Sequence, residues 1–162
     1  MGRPTRWQRP PGRVVARCRR PGLAAPAVTV VLDSEALSSL ATPGDRSVAR
    51  RRAAAVLAIA AASGSRVIVP APALAEVGRS VARQRSVDAA IAGLTTVPTD
   101  RRIAQRAGLL LGRSGASSVD AIDAFVASTA AERPPALVLT TDVDDLSTLC
   151  ADIPNVEVRY LH

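Results

Sequence analysis

Short apolar runs alternate with longer segments of helical periodicity from residue 28 to the end of the chain. The runs Val28–Leu32, Arg66–Pro70 and Ala136–Thr140 are rich in valine, isoleucine and leucine. Such runs predict strands that are buried on both faces of a sheet. A brief run at Thr95–Pro98 predicts another strand, and the alternating residues of Asn155–Leu161 predict a closing strand at a sheet edge.

Capping residues and glycine or proline breaks divide the segments between these strands into predicted helices. Strands interleaved with helices imply an α/β fold, in which a largely parallel sheet carries helices on both faces. The predicted helices span residues 34–41, from Asp45 or Ser47 to Ser63, 72–83, 86–94, from Asp100 to Ser114, from Ser117 or Ser118 to Glu132, and 142–151.

The composition is that of one domain with an aliphatic core. The chain has 162 residues, of which 48% are hydrophobic and only 2% aromatic. No apolar run reaches the roughly 20 residues of a membrane span, so no membrane association is expected. Cys18 and Cys150 match no metal or redox spacing. They are typical of free thiols in a reducing cytoplasm, which is where we expect the protein.

The lack of lysine and the scarcity of histidine disfavour several classes of catalytic site. The chain contains no lysine, since all 21 basic residues are arginines. A P-loop needs its lysine, and receiver-type and haloacid-dehalogenase-type sites pair their aspartates with one, so these classes are disfavoured. The single histidine, His162, is the last residue. A Ser-His-Asp triad and a histidine-rich zinc site are therefore disfavoured as well.

The positive charge is concentrated at the N-terminus. Residues 1–22 hold seven arginines and no acid, which equals the whole formal charge of +7. Residues 1–26 lack apolar periodicity and an apolar signal-peptide stretch, so we interpret them as a basic, disordered tail before a domain at residues 27–162. The tail is either an RNA-binding arm or, if translation starts further along, no part of the native protein.

Aspartates follow two of the predicted buried strands. Asp33 ends the run VVLD, and Asp142 ends the run LVLTTD, with the Thr140 hydroxyl two residues earlier. Ligands of open α/β sheets bind outside the carboxyl ends of the strands, so these residues are candidates for one site. The alternative is that Asp33 caps the following helix and that the acids near Asp142, including Asp145 one turn later, complement a helix dipole.

Asp123 lies within an apolar stripe of its predicted helix, with Asp120 at the edge of that stripe. A buried, unpaired carboxylate would cost several kcal/mol, and a metal ion would remove that cost. The alternative is an arginine partner from another helix. Glu76 projects away from the core face of its helix and shares a face with Arg79, so a surface ion pair is its simplest explanation.

Four segments in order resemble the PIN-domain endoribonuclease toxins of the VapC type. The resemblance covers residues 28–161 and leaves the basic tail outside. It implies a PIN-like three-layer α/β/α domain with a mostly parallel central sheet. The four segments are VVLDSEAL at 30–37, VPAPALAEVGR at 69–79, SSVDAIDAFVAS at 117–128 and VLTTDVDDL at 138–146.

The resemblance implies an acidic quartet at one metal site. The quartet members are Asp33, Glu76, Asp123 and Asp142, and Thr140 matches the hydroxyl beside the site. Asp120 and Asp145 match acids that often accompany the quartet. A carboxylate cluster favours a hard, octahedral cation, so Mg²⁺ or Mn²⁺ is the expected cofactor.

The implied function is metal-dependent hydrolysis of RNA by the toxin of a toxin–antitoxin pair, with an antitoxin partner and a homodimer expected. Two alternatives remain open: a PIN nuclease that processes RNA without an antitoxin, and a non-catalytic nucleic-acid-binding module that uses the basic tail. Seven arginines are candidates to hold the RNA backbone, or else form a solvated helix face. They are Arg46, Arg50, Arg51, Arg52, Arg79, Arg83 and Arg85.

Removal of residues 1–26 should leave folding and nuclease activity intact, because no predicted core residue lies there. The measurement is a thermal melt and an RNA-cleavage assay on the full-length and truncated proteins. A truncated protein that is insoluble or unfolded would show that the domain boundary lies further towards the N-terminus.

Overall fold

Strands and helices alternate along residues 27–115 and 120–162, which are the residues that the computed structural model describes. The strands are β1 (Thr29–Leu32), β2 (Arg66–Pro70), β3 (Thr95–Val97), β4 (Ala136–Thr140) and β5 (Val156–Tyr160). The helices are α1 (Ser34–Ala41), α2 (Val48–Ser63), α3 (Ala71–Val77), α4 (Val81–Ile91), α5 (Arg101–Ser114), α6 (Ala121–Ala131) and α7 (Asp144–Cys150).

All strand pairs of the sheet are parallel, and the strand order is β3-β2-β1-β4-β5. The prediction of a largely parallel sheet is therefore confirmed, as is the edge position of the closing strand. The chain builds one half of the sheet outward from β1 to β3 and then returns to place β4 on the other side of β1. The carboxyl ends of β1 and β4 thus meet at the topological switch point, where α/β sheets bind their ligands.

The two faces of the sheet carry separate hydrophobic clusters. Val30 and Leu32 of β1 point into a cluster with α1, α2, α3 and α4. Val31 points to the opposite face, where it packs with residues of α5, α6 and α7 such as Val126. Successive side chains of a strand point to opposite faces, so an uninterrupted apolar run is what a buried central strand requires. The result is the predicted three-layer α/β/α arrangement.

Most predicted helices agree with the structure at their N-termini because the capping residues are local signals. The Ser47 hydroxyl accepts a hydrogen bond from the N–H of Arg50 at 3.1 Å and begins α2. The Asp100 carboxylate accepts from the N–H of Ile103 at 2.8 Å and begins α5. Each cap satisfies one N–H that would otherwise lack a partner at a helix N-terminus.

The predicted boundary between the third and fourth helices is wrong. A helix over 72–83 was expected, but α3 ends at Val77 and α4 begins at Val81. The N–H of Gly78 bonds to the Leu74 carbonyl at 2.9 Å and closes α3, and the Ser80 hydroxyl accepts from the N–H of Arg83 at 3.2 Å. Gly78 and Ser80 are therefore a stop signal and a start signal that prevail over the apolar periodicity.

Several expectations concern residues outside the described ranges. These are the disorder of residues 1–26, the thiol of Cys18 and the helix cap at Ser117 or Ser118. In the described part of the chain, α6 begins after Asp120, whose side chain makes no capping hydrogen bond. None of the helices found in the described ranges is long and apolar enough to cross a membrane.

Two of the arginines that are candidates for RNA contact hold α1 in place. Arg50 donates to the carbonyls of Ser39, Leu40 and Thr42 at the C-terminal end of α1. Arg83 donates to the Ser38 carbonyl at 3.0 Å, to the Ser38 hydroxyl at 2.7 Å and to the Thr42 hydroxyl at 3.1 Å. The last carbonyls of a helix lack intrahelical partners and lie at the negative end of its dipole, so arginine is well suited there.

Arg83→Lys should lower the free energy of unfolding by about 1–2 kcal/mol. A lysine ammonium keeps the charge but cannot reproduce the planar fork that reaches Ser38 and Thr42 together. The measurement is urea denaturation. Arg85→Lys is the matched control, because Arg85 is exposed on the same helix, and its effect should stay within about 0.5 kcal/mol. Equal effects of the two substitutions would contradict the structural role of Arg83.

Candidate active site

A cavity of about 100 Å³ opens at the carboxyl ends of β1 and β4. Elements from both halves of the sheet surround it: the start of α1, the C-terminal end of α3, the start of α6, the β4–α7 connection and the first turn of α7. Its lining residues are Asp33, Ser34, Glu35, Glu76, Ile122, Asp123, Thr140, Asp142 and Asp145. Six carboxylates thus border one small space, and every predicted quartet member is among them.

Asp33 is held rigidly at the end of β1. Its side chain is only 2% exposed, and its Oδ1 accepts a hydrogen bond from the N–H of Ala36 at 2.6 Å. Its own N–H bonds to the Leu139 carbonyl at 3.2 Å, so the β1–β4 pairing extends to the site. Asp33 therefore caps α1 and also borders the cavity. A helix cap and a site residue, the two interpretations that the sequence allowed, are compatible in this geometry.

Burial raises the pKa of Asp33 to about 7. Hydrogen bonds from the Thr140 hydroxyl and the Ala36 N–H oppose this rise, and the charges of Glu35 and Asp123 add to it. Desolvation dominates because a carboxylate loses most of its hydration at a buried strand end. Ionisation of Asp33 in the folded protein therefore lowers the free energy of unfolding.

Asp123 lies in the first turn of α6 and is half-buried. Burial raises its pKa to about 6, with further contributions from the negative charges of Glu76, Asp145, Asp120 and Asp142. Within residues 27–115 and 120–162, no arginine forms an ion pair with Asp123. Among the described residues, the arginine-paired alternative for Asp123 therefore finds no partner.

Glu76 takes part in both arrangements that the sequence allowed. Its Oε1 lies 3.8 Å from the Arg79 guanidinium, three residues later, in a partly exposed pair. The same side chain borders the cavity and raises the pKa of Asp123 through its charge. An exposed pair at this distance holds the carboxylate weakly, so it leaves Glu76 available to the cavity.

A tight turn at the end of β4 brings Asp142 and Thr140 to the cavity. The N–H of Asp142 donates to the Thr140 hydroxyl oxygen at 2.8 Å, and that hydroxyl lies 2.6 Å from the Asp142 carbonyl. Asp145, in the first turn of α7, also borders the cavity. Asp120 does not line the cavity, although its charge reaches Asp123.

Three lining residues were not selected from the sequence. Glu35 accepts a hydrogen bond from the Thr141 hydroxyl, which ties the start of α1 to the β4–α7 connection. Ser34 is buried beside Asp33, and Ile122 supplies an apolar wall. Position along the chain could have indicated Ser34 and Glu35, because residues directly after a strand-ending aspartate lie at the same sheet edge.

The carboxylates border the cavity without closing on a single point. Among the residues that the structure describes, no three acidic, histidine or cysteine side chains form a preformed metal site. The assignment of Asp33, Glu76, Asp120, Asp123, Asp142 and Asp145 as metal ligands therefore stays a prediction.

Comparison with known proteins identifies the family. Residues 30–150 match the model of the PIN domain, so the chain belongs to the PIN domain family. A comparison with curated protein sequences found no match.

The fold is similar to that of solved structures. One is the structure of VapBC2 from Rickettsia felis bound to a DNA fragment from their promoter, with a TM-score of 0.62 and 17% identity over 83% of this chain and 100% of that chain. Another is FitAcB from Neisseria gonorrhoeae, with a TM-score of 0.53 and 20% identity over 80% of this chain and 95% of that chain.

Asp33→Asn should remove a pH dependence from the stability of the metal-free protein. The pKa of Asp33 rises from 3.8 to about 7 on folding, so the folded state retains a proton that the unfolded state releases between about pH 4 and pH 7. Wild-type stability should therefore fall as pH rises through this window. Asparagine keeps the helix cap but carries no charge, so the variant should be more stable by roughly 2–4 kcal/mol at about pH 8.

The measurement is urea denaturation in EDTA at about pH 4, 6 and 8, where the two proteins should converge at the lowest pH. Asp33→Ala is the companion variant, because it removes the charge and the cap together and should be less stable than the asparagine variant by about 1 kcal/mol. Parallel pH profiles for wild type and Asp33→Asn would show that Asp33 carries no raised pKa.

Proposed function

We propose that this PIN domain is a metal-dependent endoribonuclease that acts as the toxin of a toxin–antitoxin pair. The observation that carries the proposal is the convergence of six carboxylates on one cavity at the switch point of the sheet. Two of them, Asp33 and Asp123, have strongly raised pKa values. Raised pKa values in a cleft are typical of functional sites, because a purely structural role gives no reason to gather like charges.

The donor set fits a hard divalent cation. Carboxylate and hydroxyl oxygens are the ligands that Mg²⁺ and Mn²⁺ prefer, and the cavity offers no thiol or imidazole among its lining residues. Asp33, Glu76, Asp123 and Asp142 would hold the cation, with Asp120 and Asp145 in support. When bound, the cation would lower the pKa of a water molecule and offset the charge that develops on phosphate.

Residues of the chain would fix the positions of the carboxylates that hold the cation. The Asp33 N–H bonds to the Leu139 carbonyl of β4, and the Asp142 N–H bonds to the Thr140 hydroxyl at the end of the same strand, so their separation is set by the β1–β4 pairing. In the hydrolysis, the water oxygen bonds to phosphorus while the P–O3′ bond breaks and its electron pair leaves on O3′. One water proton ends on O3′, and the 5′-phosphate releases the other to solvent. The products are a 3′-hydroxyl and a 5′-phosphate.

The toxin assignment rests on the four ordered segments that resemble VapC-type toxins and on the fold. The match to VapBC2 from Rickettsia felis covers the whole of the matched chain. This supports a domain of the same extent. The partner would be a cognate antitoxin, and the functional unit would be a homodimer. The substrate would be RNA, in the cytoplasm.

Asp123→Asn should abolish metal-dependent RNA cleavage without destabilising the metal-free protein. Asparagine keeps the volume but removes one charge from a cluster whose members repel one another, so the melting temperature in EDTA should be unchanged or higher. The measurement is cleavage of total RNA in Mg²⁺ or Mn²⁺ beside thermal melts in EDTA, on purified full-length protein. Asp144→Asn is the matched control, because Asp144 is an exposed acid at the start of α7 and does not line the cavity.

The control variant should cleave RNA at the wild-type rate. Residual metal-dependent cleavage by Asp123→Asn, together with a large drop in its melting temperature, would point to a structural carboxylate and defeat the proposal. RNA that stays intact with the wild-type protein in either metal would contradict the nuclease assignment itself.

A further inference from the structure

The outer side of β5 is a sheet edge whose backbone groups have no strand partner. In the described part of the chain, β5 lies at one end of the sheet and pairs only with β4. The Leu161 N–H donates to the Thr140 carbonyl at 2.9 Å, so the odd-numbered residues of this segment direct their backbone groups to β4. Successive residues of a strand direct these groups to opposite sides, so those of Val156, Val158 and Tyr160 point outward.

This edge lacks the features that commonly prevent further strands from joining a sheet. Such features are proline, a bulge or lysine side chains on the edge strand. The sequence of β5 is VEVRY, and its register with β4 is unbroken. Its two charged residues, Glu157 and Arg159, have opposite signs, and their side chains are 64% and 54% exposed. The edge is therefore open to another strand.

The sequence of β5 is self-complementary when two copies run antiparallel about a two-fold axis at Val158. The outward backbone groups then meet in pairs, Val158 with Val158 of the second copy and Val156 with Tyr160. In the same register Glu157 lies directly opposite Arg159 of the second copy, and the two-fold axis repeats that pair. Opposite-charge pairs and aromatic–β-branched pairs both stabilise antiparallel strands.

Neighbouring antiparallel registers are disfavoured by charge or by backbone geometry. A shift by two residues places either Glu157 opposite Glu157 or Arg159 opposite Arg159, depending on its direction. Like charges directly opposite each other destabilise a sheet. A shift by one residue sets the outward groups of one copy against residues of the other that face β4, so the ladder loses its hydrogen bonds. Charge and backbone geometry thus select the same register.

Apolar side chains on one face of β5 would gain burial from a neighbouring strand. Val156 and Val158 are only partly buried against the cluster that contains Val126 of α6 and Leu146 of α7. Tyr160 lies on the same face of the strand and is 46% exposed. A second strand beside β5 would remove part of this apolar surface from water, which favours association.

We infer that the outer edge of β5 binds the same edge of a second copy of this chain, antiparallel about Val158, with Glu157 opposite Arg159. The two five-stranded sheets then form one continuous sheet. The inference deepens the proposed homodimer and rests on that part of the proposed function, but not on the nuclease activity. A single short strand from each copy is a small contact, so the dimer should be weak and depend on protein concentration.

The test is sedimentation velocity of the full-length protein in EDTA, without RNA, at about 5–500 μM. Glu157→Arg and Arg159→Glu each turn two attractive pairs into repulsive ones, so each should raise the dimer dissociation constant at least about tenfold. The double variant should return the constant to within about threefold of wild type. Arg66→Glu is the matched control and should leave it unchanged, because Arg66 is exposed at the start of the inner strand β2.

An equimolar mixture of the two single variants separates contact between copies from effects within one chain. In each single variant the pair within the chain carries two like charges, whereas a heterodimer of the two variants places opposite charges at both contacts between copies. The mixture should therefore associate at least about tenfold more tightly than either variant alone. Such a recovery cannot come from unfolding of a variant.

A wild-type protein that stays monomeric up to about 500 μM would overturn the inference and the proposed homodimer together. A dimer that both charge reversals leave unchanged, or a mixture that associates no more tightly than its components, would overturn the inference and place the dimer contact on another surface. The nuclease assignment is tested separately by the cleavage assay on Asp123→Asn.

Discussion

The burial of carboxylates together at one sheet edge, with their mutual repulsion, is the constraint on which the rest of the structure depends. Six acids share a small cavity, and two of them, Asp33 and Asp123, have pKa values near neutrality. Such a cluster opposes folding when it is charged, so its position must be enforced by everything around it. The aliphatic core on both faces of the sheet supplies that enforcement, because a close-packed interior of valine, leucine and alanine does not deform continuously.

Local hydrogen bonds keep Asp33 and Asp142 in place, and in the described part of the chain the close arginine pairs lie away from the cavity, apart from the loose pair of Arg79 with Glu76. Asp33 is fixed by the Ala36 N–H and Asp142 by the Thr140 hydroxyl. Arg83 closes the C-terminal end of α1, and Glu132, whose side chain is 7% exposed, pairs with Arg102 at 2.7 Å and with Arg106 at 3.0 Å. Arginines that neutralised the acidic cluster would compete with a cation for the same oxygens. The separation of the two kinds of charge therefore keeps the cavity electronegative.

The local elements could be predicted because their causes are local. Apolar runs placed β1, β2 and β4, and the caps Ser47 and Asp100 placed the start of α2 and α5. The division between α3 and α4 was wrong because Gly78 and Ser80 interrupt a segment whose apolar spacing continues through them. In that segment the local stop and start signals at Gly78 and Ser80 outweighed an apolar pattern that continues over about ten residues.

The sequence by itself determined that Asp33 and Asp142 end buried strands and that Asp123 belongs to an apolar helix face. Only the tertiary structure decided that β1 and β4 are neighbours, since no local sequence pattern specifies the order of strands in a sheet. It also placed Glu76 at the cavity despite its surface ion pair with Arg79. Residue types and periodicities are properties of the chain, whereas a shared cavity is a property of distances between segments far apart in sequence. Those distances are set by the packing of the whole domain.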